Sequence, residues 1–258
     1  MVAFRVLMKK LFKNSMFLSG LGLVFLVAVW GIAYAAVGNA YVLPSPLETA
    51  KAAGKLLGEG GFYLAFFATL GRTLLAFLTA LALGGGLAVL VYLLPAIEKA
   101  LRGVMAVLRA LPTMAVLLLV LLASYRFAPV VVGVLTLFPL LYTATYSALV
   151  GVDKRLVEMS EIYRVPMRKR MAKLYLPMAL PQWLREGISF LSFGLKLTVS
   201  AEILAFTYRS MGGLLQEANI SAETAEMMAL TVLVCLVGVV IELFGARLTK
   251  ALEGTVCD

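Results

Sequence analysis

Apolar residues in this chain occur in long runs rather than in the stripes of a water-soluble helix. From Met16 to Val37 no charged side chain appears, and from Phe62 to Leu94 only Arg72 interrupts. Comparable runs cover Val104 to Ser124, Phe127 to Val152, Gly187 to Tyr208 and Met227 to Ala246. A lipid hydrocarbon core of about 30 Å takes roughly 20 helical residues to cross, so each run is long enough to span. The pattern predicts an all-α integral membrane protein with six transmembrane helices, residues 1–258 forming a single transmembrane domain. Ala33-Tyr34-Ala35 resembles a signal-peptidase site, but the preceding run exceeds the roughly 7–15 apolar residues of a signal sequence, so the first span reads as a retained anchor. Pro112 and Pro139 are predicted to kink the third and fourth spans, while Gly20, Gly22 and Gly84-Gly85-Gly86 suit close helix contact or bending.

Composition agrees: 62% of the 258 residues are apolar and 14% charged, against about 25% charged in a soluble domain. The apolar excess has to face lipid. Histidine is absent, and Cys235 and Cys257 are far apart in sequence, so no metal site and no cysteine–histidine catalysis is expected. No G-x-x-x-x-G-K-[ST] loop is present to hold nucleotide phosphates, and no catalytic residues are expected. The net charge of +9 reads as topology rather than as nucleic-acid binding. Placing the amino terminus inside puts sixteen Lys and Arg residues on the cytoplasmic side against Lys51, Lys55, Arg126 and Arg209 outside, which predicts that both termini are cytoplasmic.

Charges within spans are costly, on the order of 2.5–3.5 kcal/mol each, and call for a function or a partner. At 100° per residue Ser189, Ser192, Lys196 and Ser200 share one face of the fifth span. They line a translocation path, or Lys196 tethers a carboxylate on another helix or on a partner. Arg72 shares a face with Thr69 and Thr73 and is the nearest candidate partner for Glu202, as a structural ion pair or as a substrate contact. Between the fourth and fifth spans, residues 153–185 form a long basic loop. Asp153 suits a helix N-cap, and Leu156, Val157, Met159 and Tyr163 suit a short amphipathic helix. A second basic helix is predicted after Pro166.

This loop resembles the EAA loop of binding-protein-dependent ABC importer permeases. Glu158 matches the glutamate of the motif, Met159 and Ser160 its two alanines, Arg164 its glycine, Leu174 its aliphatic position and Leu176-Pro177 its closing pair. The resemblance extends to the nitrate/sulfonate/taurine subfamily through Leu43-Pro44-Ser45-Pro46-Leu47, Thr69-Leu70-Gly71-Arg72-Thr73, Leu108-Arg109-Ala110-Leu111-Pro112 and Ala201-Glu202. It implies a type I importer permease whose loop forms coupling helices that dock on an ATPase through Glu158, Met159, Ser160, Glu161, Tyr163, Arg164, Pro166, Leu176 and Pro177. The implied partners are a second permease subunit, two cytoplasmic ABC ATPases that carry ATP and Mg, and an extracytoplasmic solute-binding protein, assembled in the cytoplasmic membrane. No cofactor is expected on this chain. Arg164 stands where a glycine would supply a left-handed turn, so a remodelled or strained turn is expected there. Leu47 to Leu57, a predicted short external helix, lies on the membrane surface or meets the binding protein; Thr207 to Glu223, with Gly212-Gly213, is the other candidate contact. The implied cargo is a small polar or anionic solute such as nitrate, a sulfonate or taurine. The alternatives are a vitamin precursor such as a pyrimidine or flavin, or an autonomous secondary transporter or channel.

Overall fold

The computed structural model describes residues 15–256, and the basic residues Arg5, Lys9, Lys10 and Lys13 and the thiol of Cys257 lie outside them. Among the described residues every regular element is helical. Helix α1 covers Ser15–Val37, α2 Pro46–Leu57 and α3 Gly60–Leu93. Next come α4 Pro95–Ala110, α5 Thr113–Ala123 and α6 Ala128–Val150. The elbow follows, with α7 Lys154–Ile162, α8 Met167–Arg170 and a π-helical turn at Met171–Tyr175. Then α9 covers Leu176–Leu204, α10 Met211–Ile220 and α11 Thr224–Val256.

Two differences from the sequence reading matter. The third span is broken: α4 and α5 meet at 86°. Pro112 disfavours helix at the residue before it, and Leu111 is extended, with φ −63° and ψ 127°. Helix α5 has 11 residues, about 16 Å of rise, so it cannot cross alone. The fifth span is longer than Gly187 to Tyr208, because the helix is unbroken from Met167 to Leu204. Leu176 and Pro177 therefore belong to its shaft, where the π-helical turn, with the Leu176 amide donating to the Met171 carbonyl, leads straight into Pro177, and the connecting loop shrinks to the elbow around α7. The predicted external helix is present as α2 and opens on a capping box: Ser45 Oγ accepts the Glu48 amide and the Glu48 carboxylate accepts the Ser45 amide. The Ser45 amide holds the Glu48 carboxyl below its ordinary range.

Lipid tails offer helices no hydrophobic reason to associate, so close backbone approach and polar contacts must do it. Helix α3 lies along α6 as the most extensive pairing, and α9 packs on α6 and α11. Gly84 makes the first contact possible: a Cβ there would lie 2.6 Å from the Phe138 carbonyl oxygen. Beside it Ala88, Val91, Met105 and Tyr142 close the α3–α4–α6 junction. Towards the opposite end Phe62, Leu195, Val199, Met211, Leu215 and Leu230 join α3, α9, α10 and α11. Outward-facing residues such as Leu64, Phe67, Leu75 and Leu78 are exposed, as suits a lipid-facing surface. Gly20 and Gly22 have nothing within 4 Å of a built Cβ, so they support no close contact within the chain.

Gly84→Ala is expected to lower the thermal unfolding midpoint of the purified protein, by the equivalent of about 1–3 kcal/mol of overpacking. Gly86→Ala, where a Cβ meets nothing within 4 Å, is expected to leave it unchanged or raise it.

Candidate functional site

At the elbow, the Asp153 carboxylate accepts the Arg155 amide at 2.9 Å and starts α7. The helix ends in a Schellman cap. The Val165 amide donates to the Ser160 carbonyl and the Arg164 amide to the Glu161 carbonyl, both at 2.9 Å, with Arg164 at φ +51°. The turn a glycine would supply is thus kept with an arginine, at a cost of roughly 1–2 kcal/mol. The apolar residues of α7 divide between two faces: Leu156 and Val157 are half-buried, Val157 against Leu149, Val152 and Tyr175. Met159, Ile162 and Tyr163 point away, at 51%, 79% and 75% exposure, and Glu158 is exposed beside them. Ser160 donates to the Val157 carbonyl at 2.6 Å, which commits its hydroxyl to the elbow. Glu161 pairs with Arg170 at 2.8 Å and so braces α7 on α8, which starts directly after Pro166. One turn on, Tyr92 donates to the Tyr175 hydroxyl at 2.8 Å, linking α3 to the π-helical turn.

The intramembrane charges meet at the other end of α9. Arg72 Nη1 donates to Glu202 Oε1 at 2.8 Å, with the glutamate side chain fully buried and the arginine 25% exposed. The second carboxylate oxygen accepts the Thr69 hydroxyl at 2.8 Å and the Gly212 amide at 3.2 Å. Thr69 Oγ1 accepts the Met211 amide at 2.9 Å, and Ser210 Oγ accepts that of Gly213 at 2.8 Å. Three of the four amides that a helix start leaves unpaired are therefore satisfied, and the carboxylate lies at the positive end of the α10 dipole. Only glycine fits at 212: a Cβ would collide with the Glu202 Cβ and lie 2.6 Å from the Val199 carbonyl. Gly212, expected on a partner-binding surface, is instead an interior contact. Thr69 was visible in the sequence as a neighbour of Arg72, but its link to α10 was not. The sign that could have found it is Ser210 followed by a short helix opening on two glycines.

The predicted polar stripe on α9 is narrower than expected. Ser192 does not face a path: it is fully buried and donates to the Gly238 carbonyl at 3.2 Å, because Gly238 lets α11 come close on that side. Ser189 and Lys196 are exposed, and Ser200 donates to the Lys196 carbonyl at 2.9 Å. A Cβ on Gly238 would lie 3.7 Å from Lys196 Cε, so the lysine stem runs past α11. None of the three ion pairs among the described residues involves Lys196.

Glu202→Ala strands the Arg72 guanidinium and two donors, and is expected to destabilise the protein by about 3–5 kcal/mol. The double variant Arg72→Met with Glu202→Met is expected to lose clearly less than the sum of the single changes, read from thermal unfolding in detergent. Arg164→Gly is expected to raise the midpoint by the equivalent of about 1 kcal/mol, relieving the left-handed residue.

Comparison with known proteins fits this geometry. The chain is similar to two crystal forms described as inward-facing conformations of the MetNI methionine ABC transporter. The native form gives a TM-score of 0.65 at 17% identity, covering 73% of this chain and 94% of that one. The selenomethionine-soaked form gives 0.64 at 17%, covering 72% and 93%. It is also similar to an amino acid ABC transporter crystallised with histidines, at 0.60 and 16% identity over 76% and 94%. No curated protein matches the sequence. The family model for the binding-protein-dependent transport system inner membrane component matches residues 80–256, which takes in the elbow and both of the last two long helices. The chain belongs to that family.

Proposed function

We propose that the chain is one permease subunit of an ATP-driven importer that passes a small polar or anionic solute from an external binding protein to the cytoplasm. The observation that carries this reading is the outer face of α7. A short helix held at both ends by long membrane helices presents Glu158, Met159, Ile162 and Tyr163 with no partner among the described residues. Such a face on a braced elbow suits a groove in a motor protein, and the family of this chain works with ATPase partners. Glu161 and Arg164 shape the elbow, Ser160 accepts the bond that ends α7, Pro166 precedes α8, and Leu176 and Pro177 lie in the shaft that the elbow would move. On this reading the elbow and both termini are cytoplasmic, and ATP and Mg belong to the two ATPase subunits.

Lys196 supports a second permease subunit. An exposed lysine within a span does not face lipid, where it would cost up to roughly 2.5–3.5 kcal/mol, so the face carrying Ser189, Lys196 and Ser200 turns towards a water-filled path between two copies. A cation there favours an anion such as nitrate, a sulfonate or the acidic end of taurine. The similar structures handle methionine and another amino acid, which likewise carry a carboxylate. The Arg72–Glu202 pair is read as structural, since the two charges meet each other and Thr69 and Gly212 fill the second carboxylate oxygen.

In the purified complex, Met159→Asp with Tyr163→Asp is expected to abolish copurification of the ATPase while leaving the permease folded. Retention of the ATPase would show that α7 is not its docking element. Lys196→Met is expected to reduce uptake at least tenfold with the complex intact; loss of assembly instead would make Lys196 a tether to the second subunit.

A further inference from the structure

Between α3, α6 and the elbow half of α9 lies an open groove of about 790 Å³. Its walls are apolar: Leu81 and Val89 on α3, Ala148 on α6, Leu176 and Leu180 on α9. Gly86 opens one wall, since nothing lies within 4 Å of a Cβ built there. Trp183 turns its N–H inward to Thr145 Oγ1 at 2.9 Å, so the polar edge of the indole is satisfied and the ring serves as wall. The one charged residue in the lining is Arg168, at the elbow end beside Met167 and Met171, and Lys169 and Lys173 follow on the same short segment. None of the three ion pairs among the described residues involves Arg168.

The dimensions say what would fit. Along α3 the groove runs from Leu81 to Leu93, a rise of about 18 Å, against roughly 15 Å for one leaflet of a 30 Å hydrocarbon core. With its deep end at mid-bilayer the groove would place the Arg168 cation at the headgroup level of that leaflet, and deeper in the only polar side chain of the lining, Thr145, is engaged by Trp183. On α9, Leu180 and Trp183 lie about 140–160° around the helix from Lys196, so the groove looks away from the face assigned to the second subunit. We infer that this groove is a binding site for an anionic phospholipid of the leaflet on the elbow side, its acyl chain against Gly86 and Trp183 and its phosphate on Arg168. The leaflet is the inner one if the orientation proposed above holds. Bound there, the lipid would wedge α3 and α9 apart at the base of the shaft that the elbow moves.

The test is native mass spectrometry of the intact complex from nanodiscs containing equal parts of phosphatidylglycerol and phosphatidylcholine with the same chains. One phosphatidylglycerol per permease chain is expected to survive detergent exchange in preference to phosphatidylcholine. Arg168→Gln is expected to lower that preference roughly fivefold, the weight of one basic residue at an anionic surface. Gly86→Phe is expected to remove the lipid while leaving the unfolding midpoint in lipid-free detergent unchanged. Equal retention of both lipids, or retention unaffected by Gly86→Phe, would overturn the site. So would a disulfide between Gly86→Cys residues of two copies, which would make the groove a subunit contact. A separate measurement reports on the orientation: an impermeant thiol reagent reaching Lys169→Cys from outside intact cells would reverse the leaflet and refute the topology, whereas the mass spectra would still report on the lipid.

Discussion

A single buried carboxylate organises the end of the molecule opposite the elbow. Within a bilayer an unpaired Glu202 would be prohibitively costly, and so would the open amides at the start of α10. The structure places these liabilities against each other. Arg72 and Thr69 from α3 and the amide of Gly212 converge on the carboxylate, while Thr69 passes its oxygen to Met211. Three helices are thereby registered to within a hydrogen bond where dispersion alone would allow them to slide. The glycine at 212 follows from the same constraint, since any side chain there would displace the carboxylate that α10 requires.

With that end pinned, the 38-residue helix from Met167 to Leu204 acts as a shaft whose two ends differ in stiffness. The pinned end is held by charge-assisted bonds to a fully buried carboxylate. The elbow end carries a π-helical turn, the kind of local irregularity that concentrates at functional sites, and is attached through the exposed Glu161 and the partly exposed Arg170. Displacing α7 would therefore bend or rotate the shaft about its lower turns before it disturbed Glu202. The break between α4 and α5 at 86° matches this arrangement, because a broken span beside a long shaft can follow it without the shaft itself being distorted.

Much of this was legible in the sequence because the bilayer enforces it. Uninterrupted apolar runs located the spans, and the cost of a buried charge directed Arg72 towards Glu202 before any contact was seen. Asp153 and Pro166 marked two helix starts correctly because caps are local chemistry. What the sequence did not disclose depended on the neighbours of each helix. Ser192 shares its face with Lys196 by spacing alone, yet Gly238 on α11, 46 residues away, draws the serine hydroxyl inward. Pro112 announced a bend but not one large enough to break the span, because the angle depends on where α4 finds Ala88 and Tyr142. The continuity of α8 with α9 was not read from the sequence, because it runs through the π-helical turn at Met171–Tyr175, and a π-helical turn has no pattern of apolar spacing that marks it.

Arg164 shows how a departure from the expected motif can leave the architecture intact. A left-handed residue is needed wherever a Schellman cap turns the chain sharply, and the two bonds that define that cap are present. Similar caps close α9 at Phe206 and α10 at Ala222, also without glycine. Among the described residues, non-glycine left-handed residues thus close three helices, each a few residues before the next helix starts. At the elbow, that next element is α8, braced by Glu161 and Arg170. The brace confines the exit path from α7, so the turn persists despite its strain, and the basic side chain at 164 remains at the surface of the elbow beside the outer face of α7.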